Sequence, residues 1–115
     1  MDEELTNVMQ ELIDVLERID LKFNDIMFAN VVLHESDRIK AFLPPGWQDA
    51  DMDCFKSQLI RMGCYNSGYG CQTLYGTIVF KNSAWLERGE YDGAEWWELK
   101  KMPSWKQVKA IDKMV

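Results

Sequence analysis

The sequence has one histidine, no CxxC pair, no GxxxxGK or GxGxxG, and no apolar run near the ~18 residues of a membrane span. Each shortage removes a class of function. Without a glycine-rich fingerprint there is no support for a phosphate cradle. With His34 alone, Cys–His catalysis requires that residue beside one of Cys54, Cys64 or Cys71, and nothing local brings them together. The cysteine spacings of ten and seven are irregular for zinc, and only His34 can complete a fourth ligand position. No metal, no cofactor and reduced thiols are expected. The opening MDEELTNVMQ is acidic and lacks the basic-then-apolar order of a secretory signal, so the expected location is the cytoplasm.

What is present is aromatic and acidic. The chain is 47% hydrophobic and 12% aromatic, which argues against disorder, and 115 residues suffice for one domain with its own core. The net charge of −6 is uneven. Residues 2 to 20 hold seven acids and one base, Arg18; Glu87 to Glu98 hold five acids and one base, Arg88. From Lys100 to Lys113 the sign reverses, with five lysines against Asp112. An acidic body repels phosphate, so direct nucleic-acid binding is disfavoured unless the lysine tail acts alone. The blander reading is a solvated charged face.

Residues 2 to 22 read as an amphipathic helix. Leu5, Val8, Met9, Leu12, Leu16, Ile19 and Phe23 recur at three- and four-residue steps, and Glu11, Asp14 and Asp20 give an acidic outer face. Met27 to His34 read as a strand, rich in β-favouring residues. Ser36 then suits an N-cap, with Ile39, Phe42 and Leu43 as the apolar side of a short helix that Pro44 ends. A third helix is expected from Asp51 to Met62, buried through Met52, Phe55, Leu59 and Met62, with Gly63 at its left-handed close. Cys54 projects off that stripe.

YNSGYGCQT reads as a loop in which Tyr65 and Tyr69 sit exposed. From Leu74 the period becomes two. LYGTIVF, AWLERGEY and EWWELKK form an antiparallel meander turned at Lys81–Ser83 and at Asp92-Gly93. Ser104 can cap a last helix with Trp105, Val108 and Ile111 inward. The expected fold is α+β: residues 1–63 mainly helical, 74–103 a meander and 104–113 a short helix, with the helices packed on a small antiparallel sheet.

Alternation separates the adjacent tryptophans. Trp85, Glu87 and Gly89 share one face, and Leu86, Arg88 and Glu90 the other; Glu95, Trp97 and Leu99 oppose Trp96, Glu98 and Lys100. One indole therefore enters the core. The other lies outside, where it can pack along the Arg88 and Lys100 stems or anchor a partner.

The run WLERGEYDGAEWWELKKMP, Trp85 to Pro103, resembles a hairpin module of small, largely uncharacterised proteins of tailed phages and prophages. The similarity covers about 30 residues from Leu74 onward and implies an antiparallel sheet and a phage or mobile-element origin; it carries over no catalytic residue. The expected function is a non-catalytic phage-type protein that binds and inhibits a host protein, with nucleic-acid-handling defence machinery such as a CRISPR effector as the target class. Its contact residues are Glu11, Asp14, Glu17, Glu87, Glu90, Asp92, Glu95 and one of Trp96 or Trp97, facing a basic partner surface. Alternatives are a nucleic-acid binder using Lys100, Lys101, Lys106, Lys109 and Lys113, and a homodimeric accessory protein. The least favoured is an enzyme with Cys64 or Cys71 as nucleophile and His34 as base.

Overall fold

The computed structural model describes residues 5–35, 38–66 and 71–103, together with Trp105 and Val108. In chain order the elements are β1 (Leu5–Asn7), α1 (Val8–Arg18), β2 (Ile26–His34), β3 (Arg38–Leu43), α2 (Asp49–Met62), β4 (Cys64–Asn66), β5 (Leu74–Phe80), β6 (Ala84–Tyr91) and β7 (Ala94–Lys101). Five strands form an antiparallel sheet in the order β3-β2-β5-β6-β7, while β1 and β4 pair as a separate ribbon. The fold is α+β, and its C-terminal strands are the expected meander.

Both helices pack on one face of the sheet. Val8, Leu12, Val15 and Leu16 of α1 and Met52, Phe55, Leu59 and Met62 of α2 share one core with Val31, Leu33, Leu43, Leu74, Ile78, Phe80 and Leu86 of the strands. The first helix starts later than expected. Asn7 caps it, its side-chain oxygen accepting from the Gln10 amide at 2.9 Å, and Leu5 lies exposed in β1. An asparagine oxygen at this position satisfies a first-turn amide that has no partner within the helix. The second helix closes on Gly63 at φ +63°, whose carbonyl accepts from Val8 N–H at 2.8 Å and joins the two helices.

The segment expected to be a helix around Ile39, Phe42 and Leu43 is instead β3. Read at period two, RIKAFL places Ile39, Ala41 and Leu43 inward and Arg38, Lys40 and Phe42 outward, and β2 supplies the partner strand. Residues 1–63, expected to be mainly helical, therefore contribute two sheet strands and one strand of the ribbon as well as both helices. Ser36 itself, Tyr69 and most of the expected helix over 104–113 lie outside the described residues; Trp105 and Val108, expected inward, are exposed.

Two glycines answer a steric demand. Asp92 at φ 51° and Gly93 at φ 89° form the hairpin turn that the Asp-Gly pair predicts, matching the strand twist. Gly76 pairs with Val31, and a Cβ there would lie 2.8 Å from the Asn30 carbonyl oxygen and 3.3 Å from the Trp97 ring. The oxygen belongs to the neighbouring strand and cannot move alone. Gly76→Ala is expected to cost about 1–3 kcal/mol, an overpacking penalty, read as a lower urea midpoint at an unchanged m-value.

The other face of the sheet carries no described helix. It presents Arg38, Lys40 and Phe42 of β3, Phe28 and His34 of β2, Tyr75 of β5, Trp85 and Glu87 of β6, and Trp96, Glu98 and Lys100 of β7. Lys40 Nζ stands 5.4 Å from the Phe42 ring centre, and His34 meets Tyr75 edge-on at 6.5 Å.

Candidate functional site

Opposite sides of β7 give the two adjacent indoles different environments. In the β6–β7 ladder Arg88 pairs with Trp97 and Gly89 with Trp96. Trp97 points inward, 5% exposed, with its ring centre 4.9 Å from the Arg88 guanidinium. Trp96 points outward, 40% exposed, and lies flat across Gly89, where a Cβ would come within 2.5 Å of its Nε1. The outward ring thus rests on a glycine and not on the Arg88 stem. Arg88 faces the core because its parity on β6 is that of Leu86.

Once inside, the guanidinium needs acceptors, and three elements supply them. Nη1 donates to Glu11 Oε1 of α1 at 3.2 Å, and Nη2 to the Tyr65 hydroxyl of β4 at 2.6 Å and to Glu95 Oε1 of β7 at 3.4 Å. Tyr65 in turn donates to the same Glu11 oxygen at 2.7 Å. The Arg88 side chain is 2% exposed, that of Glu95 0% and that of Glu11 16%.

Glu95 has a second task. The β5–β6 ladder pairs only Thr77–Val79 with Trp85–Glu87, so β6 leaves β5 beyond Glu87. The Glu95 carboxylate reaches into that gap and accepts from Thr73 N–H at 2.8 Å and Leu74 N–H at 3.0 Å. It takes the place of missing strand carbonyls, satisfying amides that would otherwise be costly to bury.

Burial first, then its hydrogen bond to Glu11, pushes the Tyr65 hydroxyl well above the ordinary tyrosine range, with Arg88 opposing. A proton held more tightly in the folded than in the unfolded chain stabilises the fold below the ordinary tyrosine pKa of about 10. That contribution fades as pH rises beyond it, because the unfolded chain ionises first. Alkaline unfolding is therefore expected to shift to higher pH in Tyr65→Phe relative to the stability each protein has at neutral pH; an unchanged profile would refute the assignment.

Two of the expected contact residues are thus withdrawn from the surface. Glu11, expected on the acidic outer face of the first helix, turns toward Arg88, and Glu95 is sealed beneath the hairpin. Tyr65, expected exposed in a loop, is buried in β4. Asp14, Glu17, Glu90 and Asp92 are exposed. Glu87 is half-buried on the outer face, where Trp85 Nε1–H donates to it at 2.6 Å and Lys100 stands at 3.3 Å; the indole bond first, then the lysine, holds its carboxyl below the usual range.

A cleft of about 460 Å³ opens between α1 and β7, lined by Glu11, Asp14, Val15, Arg18, Trp96 and Trp97 among others. It brings together Asp14 and Trp96, which lie 82 positions apart in the chain. Glu17 and the hairpin-tip acids Glu90 and Asp92 are not among its walls. Arg18, Gln10 and Tyr65 were not anticipated at this site, because the inter-element geometry that assembles it has no local signature. Cys54, Cys64 and Cys71 are free and exposed, and among the described residues no group of three His, Cys, Asp or Glu side chains is placed to hold a metal. No described helix is long and apolar enough to cross a membrane.

Comparison with known proteins gives no match to any family, to any curated protein or to any solved structure.

Proposed function

We propose that the chain is a non-catalytic phage-type protein that binds a host protein through the α1–hairpin side and inhibits it. The target class is defence machinery that handles nucleic acid, a CRISPR effector foremost. The observation that carries this reading is the cleft that joins Asp14 of the first helix to the half-exposed Trp96 of the hairpin, with Glu90 and Asp92 exposed at the hairpin tip. An indole flanked by carboxylates suits a basic protein surface: the ring supplies anchoring area and the acids supply steering. Such surfaces line nucleic-acid channels, where spaced carboxylates can stand in for phosphates.

Expression in a CRISPR-immune host should restore plaque formation by the targeted phage. The combined Asp14→Lys, Glu90→Lys and Asp92→Lys variant should lose both this effect and the host protein that the wild type captures. Equal plaquing with and without the protein, or capture indifferent to charge reversal, would overturn the reading.

A second reading has its own support. The open sheet face carries exposed Phe28, Phe42 and Tyr75 beside Arg38 and Lys40, the combination used to stack bases and hold phosphates, or to bury against a second copy. Retardation of single-stranded oligonucleotides at low salt, abolished by Tyr75→Ala, would favour nucleic acid; a dimeric mass in light scattering that Phe42→Glu dissociates would favour self-association.

A further inference from the structure

Three features of the α1–β7 cleft remain without a counterpart among the described residues. Trp97 lines it, and its indole N–H is buried with no acceptor; Arg88 Nε is buried unpaired just behind. Buried donors almost always find acceptors, so an orphaned one at the wall of a cleft points to a missing acceptor. The second feature is charge. Glu11, Asp14 and Glu95 face only Arg88 and Arg18 in the cleft and the network behind it, leaving one carboxylate in excess. The third is backbone. β7 ends the sheet order, with β6 on one side and no described strand on the other, so its outer edge offers unpaired amides and carbonyls.

One ligand class meets all three needs: a peptide in extended conformation that carries a cationic side chain. Its backbone pairs along an open strand edge, a carbonyl accepts from the indole, and the cation balances the carboxylates. The volume suits one long side chain and its adjoining backbone. Lys100 and Lys101 repel such a segment from the far end of β7, which leaves the Ala94–Glu98 half. Arginine fits better than lysine, because its planar, weakly hydrated guanidinium stacks on indole and forks onto carboxylate.

We propose that the α1–β7 cleft binds an extended, arginine-bearing segment of the partner protein, which adds as a strand along β7 and seats its guanidinium against Asp14 within the cleft. The proposal rests on the reading of the chain as a protein that binds a basic partner. It is separable from that reading in the test.

The ¹⁵N-labelled full chain is titrated with a blocked peptide of roughly ten residues alternating arginine and threonine, long enough for one strand, and with its glutamate counterpart. The arginine peptide alone should bind and should move the indole N–H resonance that Trp97→Phe removes. Asp14→Lys should weaken binding by about tenfold or more, the usual loss for one charge-assisted contact. Arg18→Glu, which enlarges the charge excess, should tighten it severalfold. Both substitutions are at exposed helix positions, so folding is preserved and affinity reports the site. A Trp97 indole unmoved at saturation, equal binding of the glutamate peptide, or indifference to both Asp14→Lys and Arg18→Glu would overturn the proposal. Plaque restoration that survives Asp14→Lys alone would remove the cleft from the mechanism and leave the inhibitor reading standing. Peptide binding as described without plaque restoration would do the reverse.

Discussion

Arg88→Ala is expected to lower folding stability by about 3–5 kcal/mol, the cost of removing one partner from a buried ionic network. For a domain whose whole margin is roughly 5–15 kcal/mol, that leaves little. The reason is the company it keeps. The Glu95 side chain is fully buried and that of Glu11 mostly so, and among the described residues Arg88 is the one cation in an ion pair with either. Without it two carboxylates sit together in a low-dielectric site, and the Tyr65 hydroxyl loses a donor. At an m-value of roughly 2 kcal/mol/M the urea midpoint should fall by about 2 M. A fall equivalent to less than about 1 kcal/mol would mean that water reaches the network and the argument from burial fails. Arg88→Met combined with Glu11→Leu should recover part of the loss, since a smaller set of charges is left to satisfy.

The adjacent tryptophans should separate stability from recognition. Trp97→Ala removes the ring that covers the Arg88 guanidinium and touches Gly76, and is expected to cost about 3–5 kcal/mol. Trp96→Ala removes a half-exposed ring resting on a glycine, and should cost about 1 kcal/mol or less while abolishing partner capture. Circular dichroism melts compared with capture of the host protein give the two readouts. Similar melting losses in both variants would show that Trp96 belongs to the folded core, not to a recognition surface.

Period-two patterning was enough to read β5, β6 and β7, the Asp92-Gly93 turn and the opposite pointing of Trp96 and Trp97. The stripe Met52, Phe55, Leu59, Met62 and the closing Gly63 likewise gave α2 to within two residues at its start. β3 was misread because Ile39, Phe42 and Leu43 satisfy helical spacing as well as Ile39, Ala41 and Leu43 satisfy a strand. Pairing with β2 decided between them, and pairing is not local. The fate of Glu11, Glu95 and Arg88 was hidden for the same reason. Alternation gave the face on which Arg88 and Glu95 each lie, but not that both faces were the inner one. Nothing along the chain announces that Glu11 of α1, Tyr65 of β4 and Arg88 of β6 converge, since 77 positions separate the first from the last.

The β6–β7 arm joins β5 through just three residue pairs, Thr77–Glu87, Ile78–Leu86 and Val79–Trp85. Beyond that seam side chains hold it in place of strand pairing: Glu95 accepts from the Thr73 and Leu74 amides, and Arg88 donates to Glu11 and Tyr65. Such an arm is a leaf on a short hinge: amides from Arg88 to Trp97 should exchange with solvent well before those of β2, which is flanked by strands on both sides. Should the proposed partner grip the tip, it takes hold of the part of the sheet least tied to the body by backbone pairing.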